Sequence, residues 1–437
     1  MGMTTAEKIL ARHAGRTQVR PGDLVVTQVE TCVLLDTHFN RHSGWRWPKR
    51  LHDPDKVVLV ADHIVSAANP DNAIGLQTMQ RVASYYGIRR VHGAGAHQGI
   101  SHQVIADRGY ALPGTVLANP DSHTVSAGAF NCVARGLGRP ELLQILCTGE
   151  TWYVVAPTVR YHLVGALAAG VTAKDVFLHL AGRWGSHENQ NIEFGGPAQQ
   201  ALSMNARRTL STMCAEVSAE FAIWDPDERL LADIRSKTDR PFFPTWPDAG
   251  AEYVEVRTID LGSVEPHISG AHGVIHNTQP LATFTERVRL DQCVVGSCAN
   301  GTLEDLAAVA EVVRGRQVAP WVRFIVTPGS QAIYREAARL GLLATIAQSG
   351  ALVTPSSCGA CAAQDLGTLA PGEVCLTATT RNYRGRMGNA DARIHMAAPA
   401  TVAASAITGY ITDPRQLPRA DPPAAEPAPV PAGEVAP

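Results

Sequence analysis

Short runs of β-branched and aliphatic residues alternate with amphipathic stretches along most of this chain. Val57-Val58-Leu59-Val60 and Thr115-Val116-Leu117 read as strands, and Gln77 to Tyr86 between them reads as a helix. From 151 to about 285 the pattern is mixed, with helices expected over Ala173–Leu180 and around Ser211–Ala222. The stretch Pro266 to Pro280 is rich in Gly, Pro and His and reads as a polar connection between domains. Beyond it the pattern is most regular. Strands are expected at Gln292–Val295, Val322–Val326 and near Ala351–Val353, with helices at Leu303–Val313 and Ser330–Leu340. Strands and helices alternating at this pitch predict right-handed βαβ units built on parallel sheets.

Composition narrows the class. The chain has 437 residues, 45% hydrophobic and 18% charged, which is enough apolar material for two to four domains with full cores. A formal net charge of −2 offers no general attraction to nucleic acid or acidic membranes, and no apolar run approaches a membrane span. The N-terminus is polar and reads as a capped helix start, not as a signal peptide, so a soluble, cytoplasmic protein is expected. Nine cysteines, an odd and irregularly spaced set, do not make a disulfide framework. Cys32, Cys132, Cys147 and Cys293 sit among apolar neighbours and read as small core residues. Cys375, in Val374-Cys375-Leu376, reads as a buried thiol of a strand. After Thr412 the composition turns to Pro, Ala and Glu, and residues 413–437 are expected to be disordered.

Polar motifs stand where the expected strands stop. Ala61-Asp62-His63 comes after Val57–Val60, and Asn119-Pro120-Asp121-Ser122-His123-Thr124 after Thr115–Leu117. Gly296-Ser297-Cys298-Ala299-Asn300 and Ser357-Cys358-Gly359-Ala360-Cys361 come after two strands of the last region. In open α/β sheets ligands bind outside the carboxyl ends of the strands, so these motifs can converge on one cleft. Cys358-x-x-Cys361 alone fits zinc, redox and iron–sulfur sites equally. Cys298 adds a third thiol on a small-residue loop, and three thiolates suit an iron–sulfur cluster with one iron left open. Loop cysteines without any ligand remain the plain alternative. Asp62-His63, Asp121-Ser122-His123 and His102 pair acids with imidazoles, which is what a general acid working at neutral pH requires. Thr380-Arg381-Asn382-Tyr383-Arg384-Gly385-Arg386 carries guanidinium forks suited to carboxylates, or is simply a solvated basic loop. His267, His272 and His276 lack acidic or thiol neighbours and read as a polar loop, not a metal site.

Together these motifs resemble the large subunit of the aconitase superfamily, in particular the 3-isopropylmalate dehydratase and homoaconitase group. Asp121-Ser122-His123-Thr124, Gly296-Ser297-Cys298-x-Asn300, Cys358-Gly359-x-Cys361 and Arg381-Asn382-Tyr383-x-Gly385-Arg386 occur in that family's order and spacing, and the likeness runs from about Thr5 to Gly409. The resemblance implies three α/β domains with mainly parallel sheets around a central cleft, at 1–150, 151–285 and 286–412, without the family's swivel domain. It implies a 4Fe–4S cluster on Cys298, Cys358 and Cys361, with one iron free of protein ligands. Asp62 with His63, and His102 with Asp121, would protonate the departing hydroxyl, and His123 with Glu216 would hold the water or hydroxyl on that iron. Ser122, Arg381 and Arg386 would bind substrate. The family's carbanion-forming serine lies on the swivel domain, so a small partner subunit carrying it is implied.

Some positions depart from the family pattern. Leu35 stands where a Gln or His usually precedes the acid equivalent to Asp36, Thr380 stands for an Asn, and Ser211-Thr212 stands for a Cys-Asn pair. The reading of Leu35 is a pocket shifted towards a different hydroxy-dicarboxylate, in a specialised pathway. Two other classes stay open at this point. One is a cluster-free RNA-binding protein, which the near-neutral charge and the lack of basic–aromatic clusters disfavour. The other is an inactive scaffold.

Overall fold

The structure is a computed structural model, and it describes residues 2–41, 43–363 and 366–417. The amino terminus is the capped helix expected: Thr4 Oγ1 accepts from the Glu7 amide, and the Glu7 carboxylate accepts from the Thr4 amide, ahead of Thr5–His13. Three mainly parallel sheets form the body of the fold. The first has the spatial order Arg90–His92, Val57–Val60, Thr31–Leu35, Val116–Asn119, Val133–Gly136, with every pair parallel. The strands Thr31–Leu35 and Val57–Val60 are buried at every position, which is why they read as continuous apolar runs without alternation. The second sheet orders Ala222–Trp224, Asn191–Gly195, Thr158–Val164 and Glu255–Asp260, again all parallel.

The third sheet has seven strands. Five are parallel, in the order Arg393–Ala397, Val374–Thr377, Gln292–Val295, Arg323–Val326, Leu352–Val353. In both the first sheet and this five-stranded unit, the earliest strand in the chain lies in the middle and the winding reverses beside it. That reversal opens a crevice at the carboxyl end of Thr31–Leu35 and Val116–Asn119, and another at Gln292–Val295 and Val374–Thr377.

The segment Pro266 to Pro280 is not a loose connection. His267–Ser269 and Thr278–Pro280 form an antiparallel hairpin, and His267–Ser269 pairs with Arg393–Ala397, so the third sheet begins well before residue 286. Its three-residue strands were too short to stand out against Gly and His. The helix expected around Ser211–Ala222 is displaced. The helix spans Met204–Met213, a tight turn covers Cys214–Val217, Ser218 takes a left-handed φ of 63°, and Ala222–Trp224 is a strand. The proposed tail falls mostly outside the described residues. Its first residues, Pro414–Gln416, form a turn capped by Asp413. No described helix is long and apolar enough to cross a membrane.

The turn after Gln292–Val295 depends on Gly296, whose φ is +93°. A Cβ there would meet the Thr327 carbonyl oxygen well inside van der Waals contact. G296A is therefore expected to destabilise the protein by about 2 kcal/mol or more, because both the backbone and the neighbouring strand resist the change. An earlier denaturant midpoint for the metal-free protein checks this, and an unchanged midpoint would show that the turn relaxes freely.

Candidate active site

The two crevices face each other, and backbone contacts lock their loops together. The Cys358 amide donates to the Asp62 carbonyl at 3.0 Å. Gln98 Nε2 spans both sides, donating to the Ala61 carbonyl at 3.1 Å and the Ser356 carbonyl at 2.5 Å. Asp62-His63 leaves the end of Val57–Val60. Asp121 caps the turn Ser122–Phe130 after Val116–Asn119, accepting from the His123 amide at 2.7 Å, and His102 lies on the short helix Ser101–Asp107.

These groups form one acid–imidazole web. Asp121 Oδ1 accepts from His102 Nε2 at 3.0 Å and faces His123 Nδ1 at 3.2 Å, and Asp121 Oδ2 lies 3.7 Å from His63 Nε2. Burial alone would raise the Asp121 pKa, but hydrogen bonds and charge from His102 and His123 hold it well below the usual carboxylate range. His123 Nε2 faces Glu216 Oε1 at 2.9 Å. Glu216 is likewise held low against its burial, by His123 and Arg381. Each ring nitrogen of His123 thus faces a carboxylate, which favours the charged form of the ring. In agreement, its pKa is raised against burial, by Cys298 and by its carboxylate partners. His63 differs. Asp62 Oδ1 takes its Nδ1 hydrogen at 2.6 Å, leaving Nε2 for the cleft. Its pKa is also raised despite burial, by Cys358 and Asp62.

The arginine loop closes the web. Arg381 Nε donates to Glu216 Oε1 at 2.8 Å and its terminal nitrogen to Ser122 Oγ at 2.7 Å. Asn382 Nδ2 donates to Ser269 Oγ and to the Gly270 and Ile394 carbonyls, so the His-containing hairpin buttresses the arginines.

The three loop thiols gather opposite. Cys298 and Cys361 are buried, with Sγ atoms 3.9 and 3.7 Å from the one hydroxyl of Thr380. Cys358 lies beside Asp62 and His63, their ligand atoms within 4.8 Å of one another. Arg386 reaches Cys361 Sγ at 3.6 Å. Burial would push the Cys361 thiol up, yet Arg386 and the Thr379 and Thr380 side chains bring it down to about 7, whereas burial carries Cys358 up to about 12. Cys375 and Cys293 stay in the sheet interior, Cys375 Sγ lying 3.8 Å from Met387 Sδ. Three convergent soft donors, one beside a guanidinium, fit an iron–sulfur group.

Every sequence-derived residue thus falls in one region, but two readings change and one residue was missed. Cys147 is exposed and not a core residue, because it lies on the outer side of the helix Arg139–Thr148. Leu35 is 2% exposed and belongs to the core cluster that holds Val33, Val58 and Leu117, so packing accounts for an apolar side chain there. Ser211 and Thr212 are buried too. Ser211 Oγ donates to the Ala222 carbonyl and accepts from Trp224 Nε1, a packing role away from the chemistry. The residue missed is Asp36. It is fully buried, and it accepts from the His63 amide at 3.1 Å and the Ile64 amide at 2.9 Å, aiming the Asp62-His63 turn. Burial and the neighbouring Asp62 push its pKa up to about 7. An acid directly after a buried strand was the available signal.

Doubly wound sheets whose crevices bring acid–imidazole pairs, guanidinium groups and three thiols together define an enzyme site equipped for proton transfer to a small carboxylated substrate. The comparison with known proteins names the group: a model of the aconitase family (aconitate hydratase) matches residues 11–409, and the chain belongs to that family. It is 47% identical to the 3-isopropylmalate dehydratase large subunit of Mycolicibacterium smegmatis, over 95% of this chain and 98% of that one. It is 37% identical to the homoaconitase large subunit of Thermus thermophilus, with the same coverage of 95% and 98%. A probable methanogen homoaconitase large subunit of Methanothermobacter thermautotrophicus is 36% identical, again over 95% and 98%. Members of the family generally bind a 4Fe–4S cluster.

Proposed function

We propose that this chain is the cluster-holding large subunit of a two-chain hydro-lyase. Its reaction is the reversible dehydration and rehydration of a substituted hydroxy-dicarboxylate of the 3-isopropylmalate or homocitrate kind. The observation that carries the reading is the convergence of Cys298, Cys358 and Cys361 on the acid–imidazole web of Asp62, His63, His102, Asp121, His123 and Glu216. In this reading the three thiolates hold a 4Fe–4S cluster. When bound, such a cluster supplies a Lewis-acidic iron without a protein ligand, which polarises a C–O bond.

The protein's own residues do the rest. His63 Nε2, its ring oriented through Nδ1 by Asp62, carries a proton towards the departing hydroxyl, and the His102–Asp121 pair stands behind it. His123, held between the Asp121 and Glu216 carboxylates that favour its charged form, orients the departing water or hydroxyl. Arg381, Arg386 and Ser122 bind the substrate carboxylates, for which planar guanidinium forks are suited. A small subunit of the isopropylmalate dehydratase type supplies the base that takes the carbon-bound proton. The large-subunit names of the relatives support that partner.

The test is an anaerobic assay of the reconstituted chain with and without such a small subunit, on 3-isopropylmalate and homocitrate. Turnover that requires both chains is expected. Equal turnover by the single chain would remove the partner from the proposal. No turnover of either acid by the cluster-loaded pair would overturn the substrate class.

A further inference from the structure

Lys174 is a fully buried cation that the chemistry above does not use. It lies on the helix Ala173–Trp184, and its Nζ donates to the Thr379 carbonyl at 2.8 Å and contacts Met213 Sδ at 3.1 Å. Neither is an anion. The carboxylate next to it in sequence, Asp175, is spent elsewhere: Oδ2 accepts from the Thr172 amide and hydroxyl, and Oδ1 accepts from the His267 amide. Among the described residues no carboxylate lies within ion-pair distance of Lys174. A buried ammonium without such a partner is costly unless other negative charge faces it.

Burial disfavours the charge on Lys174, and the ionised forms of Cys298, Glu216, Cys361 and Asp305 favour it. Asp305 is itself occupied with Thr302 and Asn300 at the start of its helix. Two of the three candidate cluster thiols are therefore among the groups that answer this cation. Burial lowers its pKa to about 8, which leaves it mostly charged at neutral pH. The residue it grips matters as well. Thr379 precedes Thr380, whose hydroxyl contacts both Cys298 Sγ and Cys361 Sγ, and Arg381 is next in the chain. Lys174 thus ties the second sheet's helix to the turn that touches both thiols and carries the substrate arginine.

We propose that Lys174 is a positioning residue of the thiol site, whose ammonium holds the Thr379–Thr380 turn and offsets the negative charge of the iron–sulfur cluster, and so sets its reduction potential. The inference rests on the reading of Cys298, Cys358 and Cys361 as cluster ligands. A fixed positive charge at a dry site favours the cluster form that carries one more electron, since net local charge is among the factors that set such potentials.

The experiment is a redox titration of the reconstituted full-length protein with dithionite, followed by electron paramagnetic resonance, on the parent, K174Q, K174M and K174R. Gln keeps a donor for the Thr379 carbonyl without the charge, and Met fills the space without either. Both neutral variants should shift the midpoint potential to more negative values, while K174R should stay near the parent. Thermal midpoints measured in parallel read the purely structural contribution, and K174Q serves should K174M not fold. Neutral variants that unfold earlier yet keep the parent potential would reduce Lys174 to a structural tether and overturn the inference alone. A parent protein that binds no iron would overturn it together with the cluster reading, and the iron count on the parent tells the two failures apart.

Discussion

C298S, C358S and C361S should each abolish both the iron–sulfur content and the turnover of the anaerobically reconstituted protein. The parent is expected to take up about four irons per chain on its three thiolates, and each variant to fall towards none. A serine hydroxyl is a harder and much less acidic ligand than a thiol, so it does not replace a thiolate on iron. The loss should be local. Cys298 and Cys361 both contact the Thr380 hydroxyl, a polar neighbour that tolerates serine, so the fold should survive as read by thermal unfolding of the metal-free protein. C147S is the control, because Cys147 is exposed on the helix Arg139–Thr148 and not on the thiol loops, and it should keep both iron and activity. Iron and sulfide counts on the four variants check the prediction. Full iron in any one of the three loop variants would remove that cysteine from the ligand set.

The second large effect is expected at Asp121. D121N should lower kcat by roughly 10²- to 10⁴-fold, the range that a general acid–base arrangement contributes. The carboxylate accepts from His102 Nε2 and from the His123 amide and faces His123 Nδ1, so it holds two imidazoles in one orientation and favours the charged form of His123. Asparagine is the same size but carries no charge and presents one acceptor oxygen instead of two. Without the negative charge beside it, His123 loses its proton more readily, and His102 keeps only a neutral acceptor. Because the shape is preserved, iron content and thermal midpoint should stay close to the parent, and KM should change less than kcat. A D121N enzyme with kcat within a factor of about three of the parent would show that the web only supports the fold, since structural hydrogen bonds are worth about 1 kcal/mol.

Much of this site could be read along the chain because each chemical motif comes directly after an apolar strand. Val57–Val60 announces Asp62-His63, and Gln292–Val295 announces Cys298. A strand buried on both faces must be apolar, and the residues after it must turn at the sheet's carboxyl edge. Glu216 lacked that signal. It sits on a tight turn after the helix Met204–Met213, and the family resemblance, not local pattern, singled it out. Asp36 escaped because its role is to accept two backbone amides from a turn 27 and 28 residues away. The hairpin of Pro266 to Pro280 escaped because its strands, three residues each, are held by pairing with Arg393–Ala397 and not by their own propensity.

The sequence by itself determined the kind of elements and the kind of chemistry: parallel βαβ units, acid–imidazole pairs, three soft thiols and a guanidinium loop. Those come from local periodicity and from side-chain types, which do not depend on where the chain goes next. Only the tertiary structure decided which groups share a charge. That His123 is held between Asp121 and Glu216, that Thr380 touches two thiols, and that Leu35 turns into the core are consequences of how three sheets dock. Burial and proximity, not residue identity, set the protonation of a buried group, and both are properties of the assembled fold.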